Sequence, residues 1–134
     1  MFKWVSSLEI GNAKIDQQHK QLVEMFNSMI SACTTGKGRT ELQGSLNFLI
    51  EYTVKHFNDE EALQKQVGFP DCTRHKKLHE DFKATALGFA EQLKKEGPSL
   101  HLVSKLNTTI GHWLKSHIKH EDAKISPYIK KAAS

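Results

Sequence analysis

Over four long stretches the apolar residues of this chain recur in steps of three and four, and in every stretch the series is interrupted by histidine or glutamate. A single apolar face at that period predicts amphipathic helices. The breaks between stretches carry turn-forming residues: Gly36 and Gly38, Gly68 with Pro70, and Gly97 with Pro98, while Pro127 marks the start of a tail. Helices are therefore expected at about 13–33, 40–66, 71–95 and 99–118, followed by a short C-terminal helix. Residues 1–12 read as an extended N-terminal arm with Trp4 as its anchor. Thr40 with Gln43 reads as a capping box, and Asp71 and Ser99 as first-turn or N-cap residues. No alternating β-branched run competes with this pattern. The expected fold class is all-α: an up-down-up-down four-helix bundle, with residues 1–134 forming a single domain.

The inward series can be written down residue by residue. The first helix presents Ile15, His19, Leu22, Phe26 and Met29 or Ile30. The second presents Leu42, Leu46, Leu49, Thr53, His56, Glu60, Leu63 and Val67. The third presents His75, His79, Phe82, Ala86, Phe89 and Leu93, and the fourth Val103, Leu106, Ile110, Trp113 and His117. Six ionisable residues thus fall on core positions, where an unpaired carboxylate or imidazole costs free energy. His56 with Glu60, and His75 with His79, are each four residues apart and share a helix face. In an alternating bundle the start of the first and third helices meets the end of the second and fourth, so all six side chains converge in one layer. A cation is the one partner that compensates them together. After His117 two acids compete for the same layer. On a regular helix Glu121, four residues on, lies closer to the histidine's face than Asp122, five residues on, so spacing slightly prefers Glu121 and leaves the choice open.

Ligand chemistry narrows the cation. Five imidazoles and two carboxylates exceed the four donors of a structural zinc site. The absence of a thiolate cluster excludes an iron–sulfur centre. Imidazole with carboxylate suits iron, copper, nickel or zinc, and seven donors point to two ions bridged by the carboxylates. Eight of the 134 residues are histidine, and His101, His112 and His120 lie outside this set. They read as surface residues, with His120 the alternative accessory ligand because it follows His117 by three.

Composition bounds the remaining classes. The net charge is +4 and the basic residues are spread along the chain, which argues against nucleic acid as a partner. No run approaches the roughly 18 apolar residues of a membrane span. The first residues are too short and polar for a signal peptide, and Cys33 and Cys72 form no CxxC pair, so a cytoplasmic protein with two free thiols and no membrane anchor is expected.

The stretches Ile15-Asp-Gln-Gln-His19, His56-Phe-Asn-Asp-Glu60, His75-Lys-Lys-Leu-His79 and Trp113-Leu-Lys-Ser-His117 running on to Asp122 resemble the hemerythrins, especially single-domain bacterial hemerythrins. The resemblance extends from Trp4 to about Tyr128. It implies two non-haem iron ions per chain, one bound by His75, His79 and His117 and the other by His19 and His56. Glu60, Asp122 and an oxo or hydroxo group would bridge them. Asp122 is thus the acid the resemblance selects over Glu121. The count leaves one position open on the two-histidine ion, and reversible O2 binding is the activity implied: an oxygen carrier or store rather than an enzyme. Leu114, Phe57, Trp113 and Ile118 are the expected walls of the oxygen pocket. Leu114 matches a family pocket position, while core packing is the competing role of the others. Asp16 reads as a helix cap, or else as a support for His19.

Three other readings compete. A di-iron redox enzyme is disfavoured because such oxidases use Glu-x-x-His pairs, and no histidine here has glutamate three residues before it. A binding protein responsive to NO, redox state or metal would use the same site and need a partner protein for its output. The third is a zinc-stabilised bundle.

Overall fold

The computed structural model describes residues 2–34 and 39–133. Four long helices carry the fold: α1 (Ala13–Thr34), α2 (Arg39–Gln66), α3 (Cys72–Glu96) and α4 (Leu100–Ser116). A π-helical turn (His117–Glu121) and a 3-10 turn (Asp122–Ile125) then lead into α5 (Ser126–Ala133). α1 packs on α2 and α4, and α3 packs on α2 and α4, closing a four-helix ring. The expected architecture is therefore the observed one, with helix ends displaced by a residue or two.

The local signals act mostly as read. Ser99 caps α4, its Oγ accepting from the Leu102 amide at 3.0 Å, a contact worth about 1 kcal/mol. Asp71 stands at the N-cap of α3 without a side-chain cap bond. Thr40 differs from expectation: α2 already includes Arg39, so Thr40 lies inside the helix. Gln43 donates to Asn47 and to the Ala90 carbonyl. The Gly36–Gly38 break lies outside the described residues. Gly68, at φ +73°, turns the chain from α2 toward α3, a conformation that would strain any residue with a Cβ.

Among the described residues two apolar clusters fill the bundle. The larger contains Leu22, Phe26, Met29, Leu46, Phe57, Phe82, Ile110 and Leu114 among others. Each such side chain contributes about 1.5–3 kcal/mol by leaving water. On α4 the inward series is Leu102, Leu106, Ile110 and Leu114, whereas Val103 and Trp113 are only half-buried. Leu106, Ile110 and His117 stand where expected, and the seam moves by one residue only at its other two positions, since His117 fits equally a step of three from Leu114 and a step of four from Trp113. The smaller cluster, Ile10, Ile15, Leu63, Phe69, Ile125 and Ile129, closes one end of the bundle, and Val67 packs against it from the turn after α2.

The arm and α5 build that end together. The arm contains a 3-10 turn, Ser6–Leu8, so it is not fully extended. Ile10 is its fully buried residue, while Trp4 is half-buried 6.5 Å from the His19 ring. Asp16 clasps the arm rather than capping α1: its carboxylate accepts from the amides of Ile10 at 2.7 Å and Gly11 at 3.2 Å. Asn12 does the capping, its Oδ1 accepting from the Ile15 amide.

Gly111 lets α4 approach α1. A Cβ there would lie 2.9 Å from Phe26 Cζ, and Phe26 is a buried ring of the core. Gly111→Ala is expected to destabilise the fold by on the order of 1 kcal/mol net, overpacking exceeding the helix-propensity gain. Urea denaturation checks this, and a more stable variant would contradict it.

Candidate metal centre

Between the two apolar clusters lies a wholly buried polar layer. His19 separates Ile15 from Leu22 on α1, His56 and Glu60 lie toward the end of α2, and His75 and His79 occupy the first turns of α3. His117 opens the π-turn and Asp122 follows it. All seven side chains are at most 5% exposed.

The two carboxylates stand between two groups of histidines. Glu60 Oε2 lies 3.2 Å from His19 Nε2 and 3.3 Å from His56 Nε2, while Oε1 lies 2.9 Å from His75 Nε2 and 3.3 Å from His79 Nε2. Asp122 Oδ2 faces His19 Nε2 at 3.0 Å, and Oδ1 faces both His75 and His117 at 3.0 Å. Two donor sets result among the described residues: Glu60, His75, His79, His117 and Asp122, and His19, His56, Glu60 and Asp122. Both carboxylates belong to both sets.

These distances fit metal ions better than hydrogen bonds. His117 Nε2 lies 3.1 Å from His75 Nε2 and 3.2 Å from His79 Nε2. Adjacent donors on an octahedral ion with bonds of about 2.1 Å are separated by about 3 Å. Both Asp122 oxygens are buried without a well-directed hydrogen-bond donor, an arrangement that needs another partner.

Outer contacts aim the imidazoles. His56 Nδ1 lies 2.8 Å from Gln18 Oε1, and Gln18 Nε2 in turn donates to Asp59 at 2.7 Å. His79 Nδ1 lies 2.9 Å from Glu61 Oε2. Donation from each Nδ1–H leaves the Nε2 lone pair directed inward, the arrangement that metal-binding histidines use. Sequence reasoning missed Gln18 and Glu61. Each is chain-adjacent to an inward residue, but only the packing of α1 and α3 against α2 shows which histidine it meets.

The π-turn resolves the contest between the two acids. Its wide turn carries one extra residue, and the Asp122 amide donates to the His117 carbonyl five positions back. Asp122 therefore comes round to the face of His117. Glu121 points outward instead, where Arg74 grips it at 2.8 and 3.0 Å. The Arg74 guanidinium holds the Glu121 carboxyl down at about 2.

Of the expected pocket residues, Leu114, Phe57 and Ile118 are each 2% exposed. Phe57 stacks on His79 at 3.7 Å and 3° and also approaches His56 at 5.8 Å. Trp113 stacks on His117 at 4.3 Å and 10°, beside a surface cleft of about 480 Å³ on the α3–α4 side. It thus walls the three-histidine set. His101, His112 and His120 are exposed. Among the described residues Cys33 and Cys72 are free thiols, and no helix is long and apolar enough to cross a membrane.

The electrostatics follow from burial and convergence. Burial pulls His19 down, but the Asp122 and Glu60 carboxylates outweigh it and raise the ring to about 10. The same balance raises His75 to about 9. His56 is lowered by its burial. Burial pushes Glu60 up, but in the metal-free chain the His19 and His75 rings, whose own affinity for protons is raised, hold it well below the usual carboxylate range. A ring raised above 6.5 stabilises the fold fully below that pH, and the contribution disappears as pH rises through 9–10. Chelator-stripped protein is therefore expected to lose on the order of 5 °C in Tm between pH 7 and 10. Bound divalent ions displace those protons, so the loaded protein should lack this decline. Melts at the two pH values, with and without metal, check it.

The family profile of the hemerythrin HHE cation binding domain matches residues 11–129. A bacteriohemerythrin of Stenotrophomonas maltophilia is 32% identical over 95% of this chain and 80% of its own length. A hemerythrin-like protein of Naegleria gruberi is 33% identical over 92% of this chain and 89% of its own. A solved hemerythrin structure superposes with a TM-score of 0.82 at 23% identity, covering 96% of this chain and 98% of that one, a likeness of fold. With a matched profile spanning nearly the whole chain and relatives above 30% identity over most of their length, this protein belongs to the hemerythrin HHE cation binding family.

Proposed function

We propose that residues 1–134 act as a single domain that binds O2 reversibly at two non-haem iron ions. His75, His79 and His117 would hold one ion and His19 and His56 the other, with Glu60, Asp122 and a solvent-derived oxygen bridging them. The observation that carries this reading is the unequal division of the donors: three histidines on one side, two on the other, both carboxylates shared. The two-histidine ion is one donor short, and that is where O2 would enter. When bound, the iron pair supplies the electrons on which reversible O2 binding draws.

The chain's own residues do the rest. Glu60 and Asp122 offset the positive charge and fix the spacing between the two donor sets. Gln18 and Glu61 hold the His56 and His79 rings in register. Leu114, Phe57 and Ile118 exclude water, and Trp113 closes the side of His117. A dry site limits proton access and so favours release of O2 over its reduction. This makes the protein an oxygen-binding protein rather than an enzyme, with O2 as its ligand and a cytoplasmic setting the one that suits its free thiols.

The test is to count iron per chain and record the visible spectrum of reduced protein before air, after air, and after O2 is removed. Two irons and a coloured form that disappears on deoxygenation are expected. A colourless protein with one zinc would overturn the proposal. Steady consumption of a reducing substrate would assign the site to a redox enzyme instead.

A further inference from the structure

Two neighbouring residues of α3 hold the two neighbouring acids that follow α4. His75 faces Asp122 inside the bundle at 3.0 Å, and Arg74 holds Glu121 outside it through two hydrogen bonds, at 2.8 and 3.0 Å. Lys124 adds a third contact to Glu121 at 3.2 Å. Arg74 is half-exposed and Glu121 mostly buried, so the outer pair borders the site without belonging to it.

The pair stands where the backbone is least regular. A π-turn is rare, and without support a helix favours the tighter α spacing. In that spacing Glu121, not Asp122, would share the face of His117. Both residues are acids, so charge alone does not choose between them. What differs is the outward partner: Glu121 has a bidentate guanidinium, whereas both Asp122 oxygens lack a well-directed donor. We infer that Arg74 and Glu121 form a positioning clamp that maintains the wide turn and thereby decides which acid reaches the metal centre. The inference rests on the proposed two-ion reading of that centre.

Cobalt(II) titration of chelator-stripped protein tests the clamp, using Arg74→Ala, Glu121→Gln and the charge-exchanged double variant Arg74→Glu/Glu121→Arg. Each single variant is expected to weaken the second bound ion about 10-fold, the usual scale for loss of a contact that orients a ligand. The double variant rebuilds the pair in reverse but sets the new guanidinium at position 121 against Lys124, so it should recover only part of the loss and still bind more tightly than either single variant. Hydrogen exchange at the Asp122 amide, which closes the π-turn, should accelerate at least several-fold in Arg74→Ala, with or without metal. Parental affinity and unchanged amide exchange in both single variants would overturn the clamp. A parent chain that takes up fewer than two cobalt ions would instead sink the two-ion reading, and amide exchange in the stripped protein then decides the clamp by itself.

Discussion

On the proposed two-ion reading, Glu60→Ala is expected to empty the centre of metal and to lower stability sharply. Glu60 is fully buried, and its two oxygens face four histidines on three helices. Deleting it removes the one side chain that spans the two donor sets from α2, and leaves His19, which the carboxylates raise to about 10, with Asp122 alone. Breaking a buried charged network by removing one member costs about 3–5 kcal/mol. Loss of the stabilisation that bound ions lend to the folded state adds to that. The measurement is metal per chain by elemental analysis beside Tm. Glu60→Gln separates charge from shape: it preserves volume but cannot bridge as an anion, so it should keep more of the stripped protein's stability than alanine does while still binding fewer than two ions. Parental iron content in Glu60→Ala would remove this residue from the centre.

Phe57→Ala should destabilise the loaded protein by about 3–5 kcal/mol, the cost of deleting a buried aromatic ring. Phe57 is 2% exposed and meets four other aromatic groups besides His56: it stacks on His79, lies edge-on to Phe82 and Trp113, and approaches His117. The cavity left behind would adjoin His79 and admit water to the three-histidine side. Two effects should therefore appear together: a lower unfolding midpoint in denaturant and, for the proposed oxygen-binding site, faster loss of its coloured form in air. Phe57→Leu should recover much of the stability because it refills most of the volume. A variant with parental stability would mean that the stack on His79 is incidental.

Much of this protein is legible along the chain because helices write their faces into sequence at a fixed period. The inward histidines, Glu60 and the apolar residues of α1, α2 and α3 fall where steps of three and four put them. Their convergence follows from alternating helix direction alone. The same regularity failed where the backbone departs from it. The extra residue of the π-turn reverses the preference for Glu121 over Asp122, and no periodic rule written for a regular helix anticipates that. Resemblance selected the acid that the π-turn brings among the histidines, without explaining how it gets there.

Sequence determined, by itself, that four amphipathic helices would bury a belt of imidazole and carboxylate at one height, because side-chain period and helix direction are local properties of the chain. Tertiary structure decided the rest: which ring nitrogen meets Gln18 or Glu61, that Asp16 ties down the arm, that Ile10 and α5 seal the end of the bundle, and that Arg74 draws Glu121 outward. Those contacts join residues distant along the chain, and their identity depends on how deeply one helix settles against another, which hydrophobic spacing does not encode.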